Sequence, residues 1–126
     1  MEIKKVVVIG SGTMGSGIAA HLCNANIPVT LLDLKTEISE KARERIYKSK
    51  PPLLLDKSKI NNINTGNINE DFHVVKDADW IVEAVVERID IKHNIYQKIF
   101  KERKKGAIVS SNTSSIPIKV LSQNLS

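Results

Sequence analysis

Three groups of residues in this chain have types and spacing suited to chemistry. They are the turn Gly10-Ser11-Gly12-Thr13-Met14-Gly15, the acid Asp33, and the hydroxyl-rich stretch Ser110-Ser111-Asn112-Thr113-Ser114-Ser115. The pattern G-x-G-x-x-G is weak by itself. Here it directly follows the apolar run Val6-Val7-Val8-Ile9 and opens a segment of helical periodicity. In that setting Gly10 permits a tight turn, Gly12 lets a pyrophosphate reach the backbone, and Gly15 lets helix and strand pack closely. The helix N-terminus offers free N–H groups and the positive end of its dipole to phosphate, with Ser11, Thr13 and Met14 in the same turn. The competing reading is a tight strand-to-helix turn with no ligand.

Asp33 ends the second apolar run, Val29–Leu32, where a carboxylate can accept both hydroxyls of an adenosine ribose. It would also repel a 2′-phosphate. Two unit charges 4 Å apart cost about 1 kcal/mol in water and about 4 kcal/mol at an effective dielectric of 20. The expected cofactor is therefore NAD rather than NADP, with Lys35 able to soften the discrimination. Asp33 could also cap the helix expected over Lys35–Lys50. The serine stretch has no base beside it in sequence, so no nucleophile is read there. Its hydroxyls would position and polarise a ligand oxygen, with Asn112 shaping the loop through bonds to backbone.

The elements that must hold these residues alternate. Ile3–Ile9 reads as a strand buried on both faces. A helix over Met14–Asn26, with Ile18, Leu22 and Ala25 on one stripe, ends at Asn24-Ala25-Asn26 before Pro28. A strand over Val29–Leu32 and a charged helix over Lys35–Lys50 follow, the helix stopped by Pro51-Pro52. Residues 51–71 read as an irregular excursion with one helical turn near Asp56–Ile60. Strands are expected at Phe72–Val75, Trp80–Val85 and Ala107–Ser110, with helices over Ile89–Lys104 and Ile118–Gln123. This predicts an α/β protein, a Rossmann-type doubly wound and mainly parallel sheet, in one domain over residues 1–126.

Composition narrows the class. The 126 residues are 41% hydrophobic and 26% charged, usual for a globular protein. No apolar run approaches the roughly 20 residues of a membrane-spanning helix. The net charge of +5 comes from basic residues mixed with acids at helical spacing, so solvated helix faces are expected rather than a nucleic-acid surface. A single cysteine, Cys23, excludes an internal disulfide and a cysteine metal site. No metal is expected, and the expected location is cytoplasmic.

Three stretches together, V-V-V-I-G-S-G-T-M-G-S-G-I-A, D-W-I-V-E-A-V-V-E-R and S-S-N-T-S-S-I-P-I, resemble the NAD-binding domain of L-3-hydroxyacyl-CoA dehydrogenases. The likeness runs from residue 3 to about 121, in the form built into long bacterial β-oxidation proteins. It implies oxidation of a 3-hydroxyacyl-CoA by NAD to the 3-ketoacyl-CoA. It also gives Gly10–Gly15 to the pyrophosphate, Asp33 to the adenosine ribose, and Glu87 and Lys92 to the nicotinamide half. Ser114 matches the serine that contacts the substrate's 3-oxygen, and Ser49 a position near bound CoA. The family pattern continues to a general-base histidine, a glutamate that orients it, and a helical domain that completes the acyl-CoA pocket and the dimer. Of the three histidines, His21, His73 and His93, none follows the serine stretch. The expectation is dinucleotide binding without turnover by the chain alone, unless a second chain or domain supplies the rest. Its rival is a non-catalytic module that binds a nucleotide or a partner. An FAD enzyme or one acting on small hydroxy acids fits less well, because of the S-N-T-S loop.

Overall fold

The computed structural model describes residues 3–50, 52–84 and 89–111, with side chains described in all of these except 89–93 and 111. The first strand, β1 (Val6–Ile9), is buried along its whole length. It pairs in parallel on both sides, Val6 opposite Val29 of β2 (Val29–Asp33) and Trp80 of β4 (Trp80–Glu83). With β3 (Ile63–Asn67) and β5 (Ile108–Ser111) the sheet has the order β3-β2-β1-β4-β5, parallel throughout. The chain winds outward to β3, then crosses back over β1 to β4. Strand order therefore reverses between β1 and β4, and ligands of doubly wound sheets bind at such a point.

Alternation along β1 divides the core. Val6 and Val8 face α1 (Thr13–Asn24) and α2 (Thr36–Lys48), packing on Ala19, Cys23, Ala42 and Ile46. Val7 and Ile9 face the other layer, with Ile95 and Ile99 of α3 (Ile89–Glu102) and Val75. An unbroken apolar run is thus what a strand covered on both faces requires.

Helix α1 stops where the asparagines suggest. Asn26 is left-handed at φ 63°, Asn26 N donates to Cys23 O, and Ile27 N donates to Leu22 O. That is a Schellman closure, with asparagine in the position glycine usually takes. The buried stripe is not the expected Ile18–Leu22–Ala25, since Ala25 is exposed and Ile18 half-buried. Gly15, Ser16, Ala19 and Ala20 line the buried face instead, small residues that let the helix lie close to the sheet.

Two expectations for the middle of the chain are corrected. Residues 63–67 are strand β3, not part of an irregular excursion. Phe72–Val75 is not a strand, because Phe72–Asp77 forms a 3-10 turn. The sequence Ile-Asn-Thr-Gly-Asn has little strand propensity, and only Ile63 and Gly66 are buried. Its partners make it a strand. It pairs with β2 on one side, and α2 covers carbonyls through Arg43 Nε to Ile63 O at 2.9 Å and Ser39 Oγ to Gly66 O at 2.8 Å. These contacts blunt what would be a bare sheet edge. The turn expected near Asp56–Ile60 is the 3-10 segment Lys57–Asn62, capped by Asp56, which accepts from Ser58 N at 2.9 Å. The helix expected over Ile118–Gln123 lies outside the described residues. Among the described residues no helix is long and apolar enough to cross a membrane.

Candidate dinucleotide site

The carboxyl ends of the strands line up across the sheet: Asp33 beside Asn67, and Ile9 beside both Leu32 and Glu83. The glycine turn leaves from the centre of this row. Gly10 has φ 105°, a conformation side chains rarely adopt, and its N–H donates to Leu32 O at 2.7 Å. At Gly15 a Cβ would stand 1.9 Å from Gly10 O, so a side chain is excluded. Gly12 differs from both. Its φ of −69° suits any residue, and a Cβ there would meet nothing within 4 Å. Among the described residues no contact requires glycine at position 12, and the space it leaves open lies at the start of α1. That first turn, with Thr13 and Met14 exposed, contains no acidic residue to oppose an anion.

Asp33 is bound to this turn. Its Oδ2 accepts from the Ser11 amide at 2.8 Å and the Ser11 hydroxyl at 2.5 Å, and its Oδ1 accepts from Leu34 N at 2.7 Å. It does not cap α2, whose N-cap is Lys35, without a side-chain cap bond. A carboxylate has about four acceptor positions, so three donors leave room for one more. To accept both ribose hydroxyls it must release the Ser11 hydroxyl.

The structure thus brings Gly10–Gly15 and Asp33 together. Ser49 is the C-cap of the 13-residue α2. Lys92 falls within α3, but its side chain is outside the described set. Glu87, Asn112 and Ser114 lie outside the described residues altogether. Two groups were not singled out from the sequence. Glu83, the first acid of E-A-V-V-E, is fully buried at the end of β4. Arg45, on a helix that reads only as charged, donates to Ser11 O at 3.1 Å. A charged helix gives no sequence signal for such a contact.

Comparison with known proteins decides the family. The family described as "3-hydroxyacyl-CoA dehydrogenase, NAD binding domain" matches residues 5–126. The chain belongs to that family. Its cofactor is NAD, and the fold is the Rossmann-type sheet of these dehydrogenases. A Rickettsia felis protein named as a fatty acid oxidation complex trifunctional enzyme is 45% identical over 98% of this chain and 18% of its own length. A Deinococcus radiodurans protein named as a 3-hydroxyacyl-CoA dehydrogenase is 42% identical over 94% of the chain and 36% of its own. The crystal structure of 3-hydroxybutyryl-CoA dehydrogenase from Escherichia coli superposes with a TM-score of 0.86 at 25% identity, covering 100% of this chain and 28% of that one. The chain therefore spans well under half the length of these relatives. The resemblance drawn from the three sequence stretches and the family match agree.

Proposed function

We propose that this chain supplies the dinucleotide half of an enzyme that oxidises a 3-hydroxyacyl-CoA with NAD, giving the 3-ketoacyl-CoA and NADH, in fatty-acid β-oxidation. The observation that carries this reading is Gly12. It is a glycine with ordinary backbone angles and open space at its Cβ, placed at a helix start beside Asp33.

In this reading Gly10 and Gly15 shape the turn, and the amides at the start of α1 hold the pyrophosphate. Ser11, Thr13 and Met14 complete that cradle. Asp33 binds the adenosine ribose and disfavours a 2′-phosphate. Bound NAD supplies the hydride acceptor. The family resemblance assigns Glu87 and Lys92 to the nicotinamide half and Ser114 to the substrate's 3-oxygen, where its hydroxyl would orient the reacting carbon. It assigns Ser49 to the CoA. None of the chain's histidines occupies the family's base position after the serine stretch, so we place the general base and the acyl pocket in a further domain or chain. The setting we propose is the cytoplasm, supported by a lone buried thiol, Cys23.

The test is calorimetry with NADH, followed by absorbance at the NADH band with 3-hydroxybutyryl-CoA and NAD. The chain is expected to bind NADH without turnover by itself. Turnover by the chain that disappears in His73→Ala would show that the base has been misplaced. Absence of NADH binding would contradict the reading as a whole.

A further inference from the structure

The Ser11–Gly12 peptide is held from three elements. Ser11 is 1% exposed, and each of its polar groups is engaged. Its amide and hydroxyl donate to Asp33 of β2. Its carbonyl accepts from the Ser16 hydroxyl of α1 at 2.9 Å and from Arg45 Nη2 of α2 at 3.1 Å. Arg45 sits well along α2, yet side chains on a helix lean toward its N-terminus, so a long one reaches back to the turn. Glu44, the acid next to it in sequence, pairs with Lys48 at 2.6 Å.

A trans peptide sets the next N–H antiparallel to the carbonyl. Two donors on Ser11 O therefore fix the direction of Gly12 N–H on the opposite side of the same plane. Gly12 begins the cradle. We propose that Arg45 is a positioning residue for the dinucleotide: by holding Ser11 O from α2, it sets the peptide plane that aims Gly12 N–H. A charge-assisted bond is stronger than a neutral one, so Ser16 alone does not replace it. Arg45 touches no reacting atom and contributes through backbone order.

This inference rests on the dinucleotide reading above, and the experiment separates the two. NADH is titrated into the chain, Arg45→Met and Arg45→Lys by calorimetry, and the Gly12 amide is followed in ¹⁵N spectra without ligand. Arg45→Met is expected to weaken NADH binding about tenfold. It should also shift the Gly12 resonance while the melting temperature stays close to that of the parent. Arg45→Lys, which keeps one charged donor, should recover most of the affinity. Parent-like affinity in Arg45→Met overturns the inference while leaving the dinucleotide site standing. So does an affinity loss that salt abolishes while the Gly12 resonance stays put, since the arginine then acts only as a distant charge. Failure of the parent chain to bind NADH overturns both readings.

Discussion

The chain on either side of β1 is held by an aspartate, Asp79 just before β4 and Asp33 at the end of β2, and the two carboxylates are treated differently. At the amino end, Asp79, the residue just before β4, accepts from the amides of Lys4 at 2.8 Å and Lys5 at 3.0 Å. Its other oxygen is bonded to the Lys104 ammonium just before β5. At the carboxyl end, Asp33 accepts from the Ser11 amide and hydroxyl and from the Leu34 amide, all neutral donors. Asp79 meets a fixed opposite charge, so its electrostatics act inside the fold. Among the described residues Asp33 meets only these neutral donors, and in the function proposed above its carboxylate faces the ligand. One residue type thus ties the sheet at one end and is read as selecting a cofactor at the other. The donors decide the difference.

The largest expected effect breaks both functions at once. Gly15→Ala forces a methyl against Gly10 O, and overpacking of that severity costs about 3 kcal/mol or more. Urea titration should show a large fall in midpoint, with NADH binding lost alongside. A stable Gly15→Ala chain would mean that helix and strand can separate at little cost.

Gly12→Val should break the carboxyl end alone. The side chain fills the space left for the pyrophosphate, so calorimetry should detect no NADH binding. A poorer N-cap costs about 1 kcal/mol, which corresponds to a shift of only a few degrees in Tm. Unfolding of the variant would instead favour a purely structural role for the turn.

Asp79→Asn should break the amino end alone. Tm is expected to fall, while NADH affinity stays at the parent value. Acid sharpens the same contrast. The Lys104 ammonium, then the Lys4 and Lys5 amides, lower the Asp79 pKa from its ordinary 3.8 to about 2. A depressed pKa means that the folded state favours the ionised form. The stability from Asp79 is therefore full above pH 3.8 and is lost as pH falls through about 2. In thermal melts across that window, Asp79→Asn should show a shallower decline than the parent. An identical pH dependence would remove Asp79 from the account.

What was legible in the sequence was local. The strand–turn–helix of residues 6–24 showed itself through an apolar run, three glycines and an asparagine stop, all of short range. Asp33 was found because its distance from the turn is fixed by one helix and one strand. Strand β3 was hidden, because Asn64, Gly66 and Asn67 disfavour a strand and its pairing is set by β2 and α2. Phe72–Val75 misled for the opposite reason. Its apolar side chains serve the second core layer from a 3-10 turn, with Phe72 and Val75 buried. Arg45 could not have been picked out, since its partner Ser11 is 34 positions away.

The central claim is that the charge of Asp33 selects the cofactor, and the most direct measurement is the ratio of NADH to NADPH affinity for the parent chain and for Asp33→Asn. The carboxylate faces a 2′-phosphate of roughly −1.5 to −2 charges, and the repulsion should favour NADH at least about tenfold. In Asp33→Asn the ratio should collapse toward one, while Ser11 keeps an amide partner. Equal affinity for NADH and NADPH in the parent chain would contradict the claim.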